Sequence, residues 1–96
     1  MPPGYVIAQL KVTNPENYKD YVTKVTEVVK KFGGEYLVRN GEYQVVEGED
    51  NFPRIVIIKF PTYEKALEWY HSDEYKPIKD IRLNNAEGSN IIVKGI

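Results

Sequence analysis

Apolar side chains alternate from Gly4 to Thr13, with Val6, Ala8, Leu10 and Val12 on one face and Tyr5, Ile7, Gln9 and Lys11 on the other. A period of two predicts a strand with one core face and one semi-polar face suited to a cavity or an interface. The period changes after Asn14-Pro15-Glu16, which combines a capping Asn, a Pro at the first helical position and an acid in the first turn. Tyr18, Val22, Val25, Val29 and Phe32 then follow helical spacing, widened by Tyr21 and Val28, until Gly33-Gly34 ends the helix. Asp20 with Lys24 and Glu27 with Lys31 are favourable pairs on its wet side.

Residues 35–39 and 43–47 both have strand patterns, separated by Asn40-Gly41-Glu42. Asn-Gly is locally a hairpin signal. A hairpin here would set the following strand parallel to the first, so one long strand bent by a bulge near Gly41 is the expectation. The strand after it, Ile55 to Ile58 without a polar break, reads as covered on both faces. Pro61 stops that strand, and Thr62 caps a second helix with Tyr63, Ala66, Leu67 and Tyr70 on its apolar stripe and Trp69 off its centre. Ser72-Asp73-Glu74 is a further cap, and Pro77 opens a short third helix that carries Ile78, Ile81 and Leu83. A turn at 87–90 and a last strand through Ile91-Ile92-Val93 complete the chain.

The order β-α-β-β-α-β, with an extra helical turn before the last strand, predicts an α+β, ferredoxin-like layer of two helices on a four-stranded antiparallel sheet. Ninety-six residues are expected to form one domain, residues 1–96. Helices on one face leave the other face of the doubly apolar strand uncovered. A second copy packed through the sheet faces is the simplest cover, so a homodimer is expected.

Composition narrows the chemistry. Thirteen basic and fourteen acidic residues give a net charge of −1, with no basic cluster to serve nucleic acid. There is no cysteine and a single histidine, His71, which leaves no metal-ligand set and no His-based nucleophile system. Gly33-Gly34 follows a helix instead of opening one, so it is not a phosphate loop. No cofactor is expected. Neither a signal segment nor an apolar run long enough to span a bilayer occurs, and the expectation is a cytoplasmic protein without membrane association.

The segments GYVIAQLKVTNPENYKDY (4–21), FGGEYLVRNG (32–41), VVEG (45–48), FPTYEKALEWYHSDEYKPIKDIR (60–82) and Glu87-Gly88 resemble a bacterial family of uncharacterised proteins, domain of unknown function thirteen-thirty. That family sits in the dimeric α+β-barrel superfamily. The resemblance implies a homodimer with sheets face to face and helices outside, and it supplies no reaction. The wider superfamily includes cofactor-free monooxygenases, isomerases, haem-dependent enzymes and ligand-sensing domains, so fold alone does not choose among them.

Fixed positive charge beside apolar segments is the strongest polar tool left. Arg39 ends an apolar strand and Arg82 lies between Ile81 and Leu83. Each is a candidate anchor for an anionic or enolate-like ligand, with Tyr36, Trp69 and Tyr70 as candidate walls. The competing expectation is structural pairing with Glu47 or Glu87. Two functions remain open: a dimeric module that binds a small organic anion between sheet and helices, and a cofactor-independent monooxygenase- or isomerase-like enzyme on a small organic substrate.

Overall fold

The computed structural model describes residues 2–96, in the order β1 (Gly4–Val12), α1 (Pro15–Lys31), β2 (Glu35–Arg39), β3 (Arg54–Phe60), α2 (Tyr63–Tyr70), α3 (Lys76–Asn85) and β4 (Ala86–Lys94). The four strands form one sheet ordered β2-β3-β1-β4, and every neighbouring pair is antiparallel. The molecule measures 34 × 31 × 17 Å, and the short dimension accommodates one sheet and one helical layer only. The predicted ferredoxin-like α+β arrangement is therefore the observed one.

Local signals explain most element ends. Asn14 accepts a hydrogen bond from the Asn17 N–H at 3.2 Å, and Thr62 accepts one from Lys65 at 3.0 Å. Each satisfies a helix-terminal donor that would otherwise lack a partner. At the far end of α1, Gly33 takes φ +83° while the Gly34 N–H reaches back to the Val29 carbonyl. The Asn85 carbonyl ends α3 by accepting from both Thr13 and Asn14, which ties that helix to the β1–α1 corner.

The core lies between sheet and helices. Val6, Ala8 and Leu10 of β1 and Ile58 and Phe60 of β3 meet Tyr18, Tyr21, Val25 and Val29 of α1, Ala66 and Trp69 of α2, and Tyr75. The register places Ile7 of β1 opposite Ile57 and Ile91, and Tyr5 opposite Val93, all on the face away from the helices. Ile55 and Ile57 are half-buried and Ile91 and Val93 exposed within one chain.

Four expectations are corrected. Residues 43–47 form no strand; β2 ends at Arg39, where Asn40 turns the chain at φ +58° and its N–H bonds to the Ile55 carbonyl at 2.8 Å. The bulge exists, but it lies at Leu37 instead of Gly41, because Tyr36 pairs with Ile58 and Val38 with Ile57. Residues 87–90 are strand, not turn, since Glu87 to Asn90 pair with Lys11 to Ala8 of β1. In the helices, Trp69 instead of Leu67 joins Ala66 as a buried member of α2, and Arg82 instead of Leu83 is the buried member of α3.

Candidate functional site

A cavity of about 30 Å³ opens between α1 and the helix-facing side of the sheet. That space holds about one or two waters or the head group of a small anion. Val6, Ala8 and Leu10 of β1 and Val56 and Ile58 of β3 form its floor, and Tyr18, Tyr21, Val22 and Val25 of α1 its roof. Its polar wall consists of Tyr36, Arg39, Arg54, Trp69, Arg82 and Asn90. A surface groove along Val12, Pro15, Lys19 and Thr23 shares Tyr18, Val22 and Arg54 with the cavity.

Four of the five residues singled out by sequence, Tyr36, Arg39, Trp69 and Arg82, thus meet around one space. Tyr70 does not line it. Its ring packs behind the wall, 6.1 Å from Trp69 and 5.8 Å from Tyr75, under the Lys79 ammonium.

The bulge in β2 explains how Tyr36 and Arg39 come together. Strict alternation would send residues of odd spacing to opposite faces. The extra residue at Leu37 puts both on the helix-facing side, paired with Ile58 and Val56. The Arg39 guanidinium lies 4.2 Å from the Tyr36 ring centre, and its Nη2 donates to the Val22 carbonyl at 3.0 Å and to Thr26 Oγ1 at 2.8 Å. Arg39 is solvent-exposed and forms the rim.

Arg82 is only 6% exposed. The ion pairs expected for Arg39 and Arg82 with Glu47 or Glu87 are not formed; among the described residues the salt bridges join Lys24 to Asp20, Lys31 to Glu74 and Lys65 to Glu68. The Nε atoms of Arg82 and Arg54 and Nε1 of Trp69 are buried without a hydrogen-bond partner. Burial works against the Arg82 charge, but the Tyr75 and Tyr21 oxygens beside it outweigh burial and move its pKa up, so it stays a cation.

The surrounding phenols are neutral at physiological pH. Burial pushes Tyr21 well above its ordinary value, and it also raises Tyr18, Tyr36 and Tyr75 against the opposing pull of Arg54, Arg39 and Arg82 respectively. No carboxylate or imidazole lines the cavity. The arrangement is a set of hydrogen-bond donors and fixed positive charge around an apolar floor, suited to holding an anion and poorly suited to removing a proton.

Sequence reasoning did not single out Arg54, Asn90 or the Tyr21–Tyr75 pair. Arg54 carried a signal, since it precedes an apolar strand as Arg39 ends one. Asn90 carried a misleading one, because Gly-Ser-Asn reads locally as a turn. His71 is exposed at the end of α2, and no group of three or more potential metal-ligating side chains occurs among the described residues.

Two layers and a βαββαβ order, with the cavity between sheet and helices, define a protein of the ferredoxin-like α+β class. The chain belongs to the family described as Domain of unknown function (DUF1330), whose model matches residues 3–96. Its structure is similar to that of a protein of unknown function from Rhodopseudomonas palustris, with a TM-score of 0.74 at 14% identity over 99% of this chain and 83% of that one. It is similar to an antibiotic biosynthesis monooxygenase, at 0.60 and 10% identity over 100% and 97% of the two chains. A dimeric ferredoxin-like protein of unknown function from Thermobifida fusca gives 0.58 and 8% identity over 99% and 92%. No curated protein matches the sequence. At such identities the structural likeness establishes a shared fold.

Proposed function

We propose that the protein is a homodimer that binds a small organic anion in the cavity between sheet and helices, with Arg82 and Arg54 as anchors, Arg39 at the rim, and Tyr36 and Trp69 in the wall. One observation carries this reading: Arg82 is buried, its Nε lacks a partner, and no carboxylate pairs with it. An unpaired buried charge costs several kcal/mol, and native proteins retain such a group where something else satisfies it. A water molecule satisfies the N–H but leaves the charge uncompensated, whereas an anionic head group does both.

The dimer rests on the uncovered face. Ile7, Ile55, Ile57, Ile91 and Val93 share it, and no segment of the chain's helices lies over it. A second copy set sheet to sheet would bury that patch, and the neighbour of the same fold from Thermobifida fusca, itself dimeric, supports a dimer.

A screen of small carboxylates by thermal shift and calorimetry tests the binding function. A ligand that binds only the folded state raises its stability by RT ln(1 + [L]/Kd). Carboxylates should stabilise the wild type, their amides should not, and Arg82→Gln and Arg54→Gln should lose the effect while remaining folded. Equal responses of wild type and both variants to every carboxylate would overturn the reading.

An enzymatic reading has one feature in its favour. Neutral phenols, arginines and an indole N–H around a small cavity are also what an enolate oxygen requires, as a cofactor-independent monooxygenase or isomerase would use. The substrate would then have to lose its proton without a carboxylate or imidazole in the lining. Binding is therefore the better-supported function.

A further inference from the structure

Asn90 breaks a local rule. It sits within β4 opposite Ala8, on the face that packs against the helices, where an apolar residue is expected. Its Oδ1 is buried and has no hydrogen-bond partner, and its side chain lines the same cavity as Arg82, Arg54 and Trp69. A buried amide oxygen left without a donor is costly, and such local violations concentrate at sites with a function. Rotating the amide would bring an N–H₂ group into a lining that already holds three unpartnered N–H donors. The oxygen therefore belongs where it is.

The polar requirement of the cavity is thus two-sided. Three unpartnered donors, two of them on guanidinium groups, call for an anion, and one unpartnered acceptor calls for a hydroxyl or amine hydrogen. Both must be met in about 30 Å³, so the two functions lie on neighbouring atoms of the ligand. Resting on the anion-binding function above, we infer that the ligand is a 2-hydroxycarboxylate: its carboxylate takes the Arg82 and Arg54 side and its hydroxyl donates to Asn90 Oδ1. The carboxylate carbon and the carbinol carbon bonded to it form the smallest unit that presents both groups together. The remainder of the molecule extends along Val22 and Tyr18 into the groove, whose walls suit an apolar body. A site that hydrogen-bonds a substrate hydroxyl rejects the analogue without it, because its own polar atom is left unpaired.

Matched pairs provide the test: lactate against propionate, and mandelate against phenylacetate, titrated calorimetrically into wild type, Asn90→Leu and Asn90→Ala. The expected result is a preference of about tenfold or more for at least one hydroxy acid over its partner in wild type, with that gap abolished in whichever Asn90 variants fold. Equal affinity within both pairs in wild type would overturn the inference and leave anion binding standing, as would a gap that persists without Asn90. An orphan oxygen satisfied merely by an internal water predicts that equal-affinity outcome. If none of the four acids binds wild type and the wider carboxylate screen is also silent, anion binding falls and this inference with it.

Discussion

The hydroxyl oxygens of Tyr21 and Tyr75 lie 2.8 Å apart in the core, joining the middle of α1 to the residue that precedes α3 across 54 positions of sequence. One hydroxyl donates to the other in the buried interior. Replacing either by Phe should cost about 1–3 kcal/mol, because the remaining hydroxyl is left without its partner. The double replacement should cost less than the sum of the two, and chemical denaturation of the four proteins checks it.

The same pair predicts an alkaline transition. Burial raises both phenols above their ordinary value of 10.0, Tyr21 well above it. Below that value both folded and unfolded chains hold the proton, and the contribution to stability is fully present. As pH rises past it, the unfolded chain releases protons that the folded chain retains, so stability falls through the folded pKa values. The slope is about 1.4 kcal/mol per pH unit for each such phenol. Denaturation midpoints measured from pH 9 to 12 should fall, and less steeply in the double Phe variant.

Trp69, 1% exposed, stacks 4.3 Å from Tyr75 and 5.4 Å from Phe60, whereas Leu67 is half-buried. Trp69→Ala should therefore destabilise by about 3–5 kcal/mol. Leu67→Ala should cost roughly 1–2 kcal/mol, the value of a partly buried aliphatic side chain. Urea midpoints in the reverse order would place the wrong face of α2 in the core.

Arg82→Met separates stability from binding. Replacing a buried charge without an acidic partner by an apolar side chain of similar length should leave the fold unharmed or more stable, by up to about 3 kcal/mol. Carboxylate binding should nevertheless disappear. A strongly destabilised variant would show instead that Arg82 serves the fold.

Gly88 adopts φ +144°, and a Cβ there would fall 2.1 Å from the Gln9 carbonyl oxygen of the paired strand. Gly88→Ala should lose well over about 1 kcal/mol, measured as a drop in Tm, since both the backbone and the β1–β4 pairing resist it.

The open sheet face gives a test of assembly. Sedimentation should show twice the chain mass at micromolar concentration. Ile57→Lys should raise the dimer Kd at least about 100-fold, because a lone buried charge costs several kcal/mol. A folded wild-type monomer at that concentration would refute the dimer.

Element order, the helix-terminal signals at Asn14, Gly33 and Thr62 and the α1 stripe were legible in the sequence, because they depend on neighbours within about one helical turn. Asn14, Thr62 and Gly33 act on N–H and carbonyl groups a few residues away, and their residue types suffice to place them. Two of the arginines around the cavity were legible as candidates too: with no cysteine and one histidine, arginine beside an apolar run was the chemistry left, and Arg39 and Arg82 do line that space. What sequence could not reveal are relations set by partners distant along the chain. Whether Gly-Ser-Asn turns or extends depends on β1, which offers a full ladder to Ser89 and Asn90. The strand pattern at 43–47 finds no such ladder within the chain and remains exposed, with Val46 84% accessible. The face of Arg39 was decided by the bulge at Leu37, where β3 accepts two residues against one. Alternation along a strand is a local property, but the residue at which it slips is chosen by the strand beside it. That slip brings Arg39 and Tyr36 onto the side where Arg82 and Asn90 already stand.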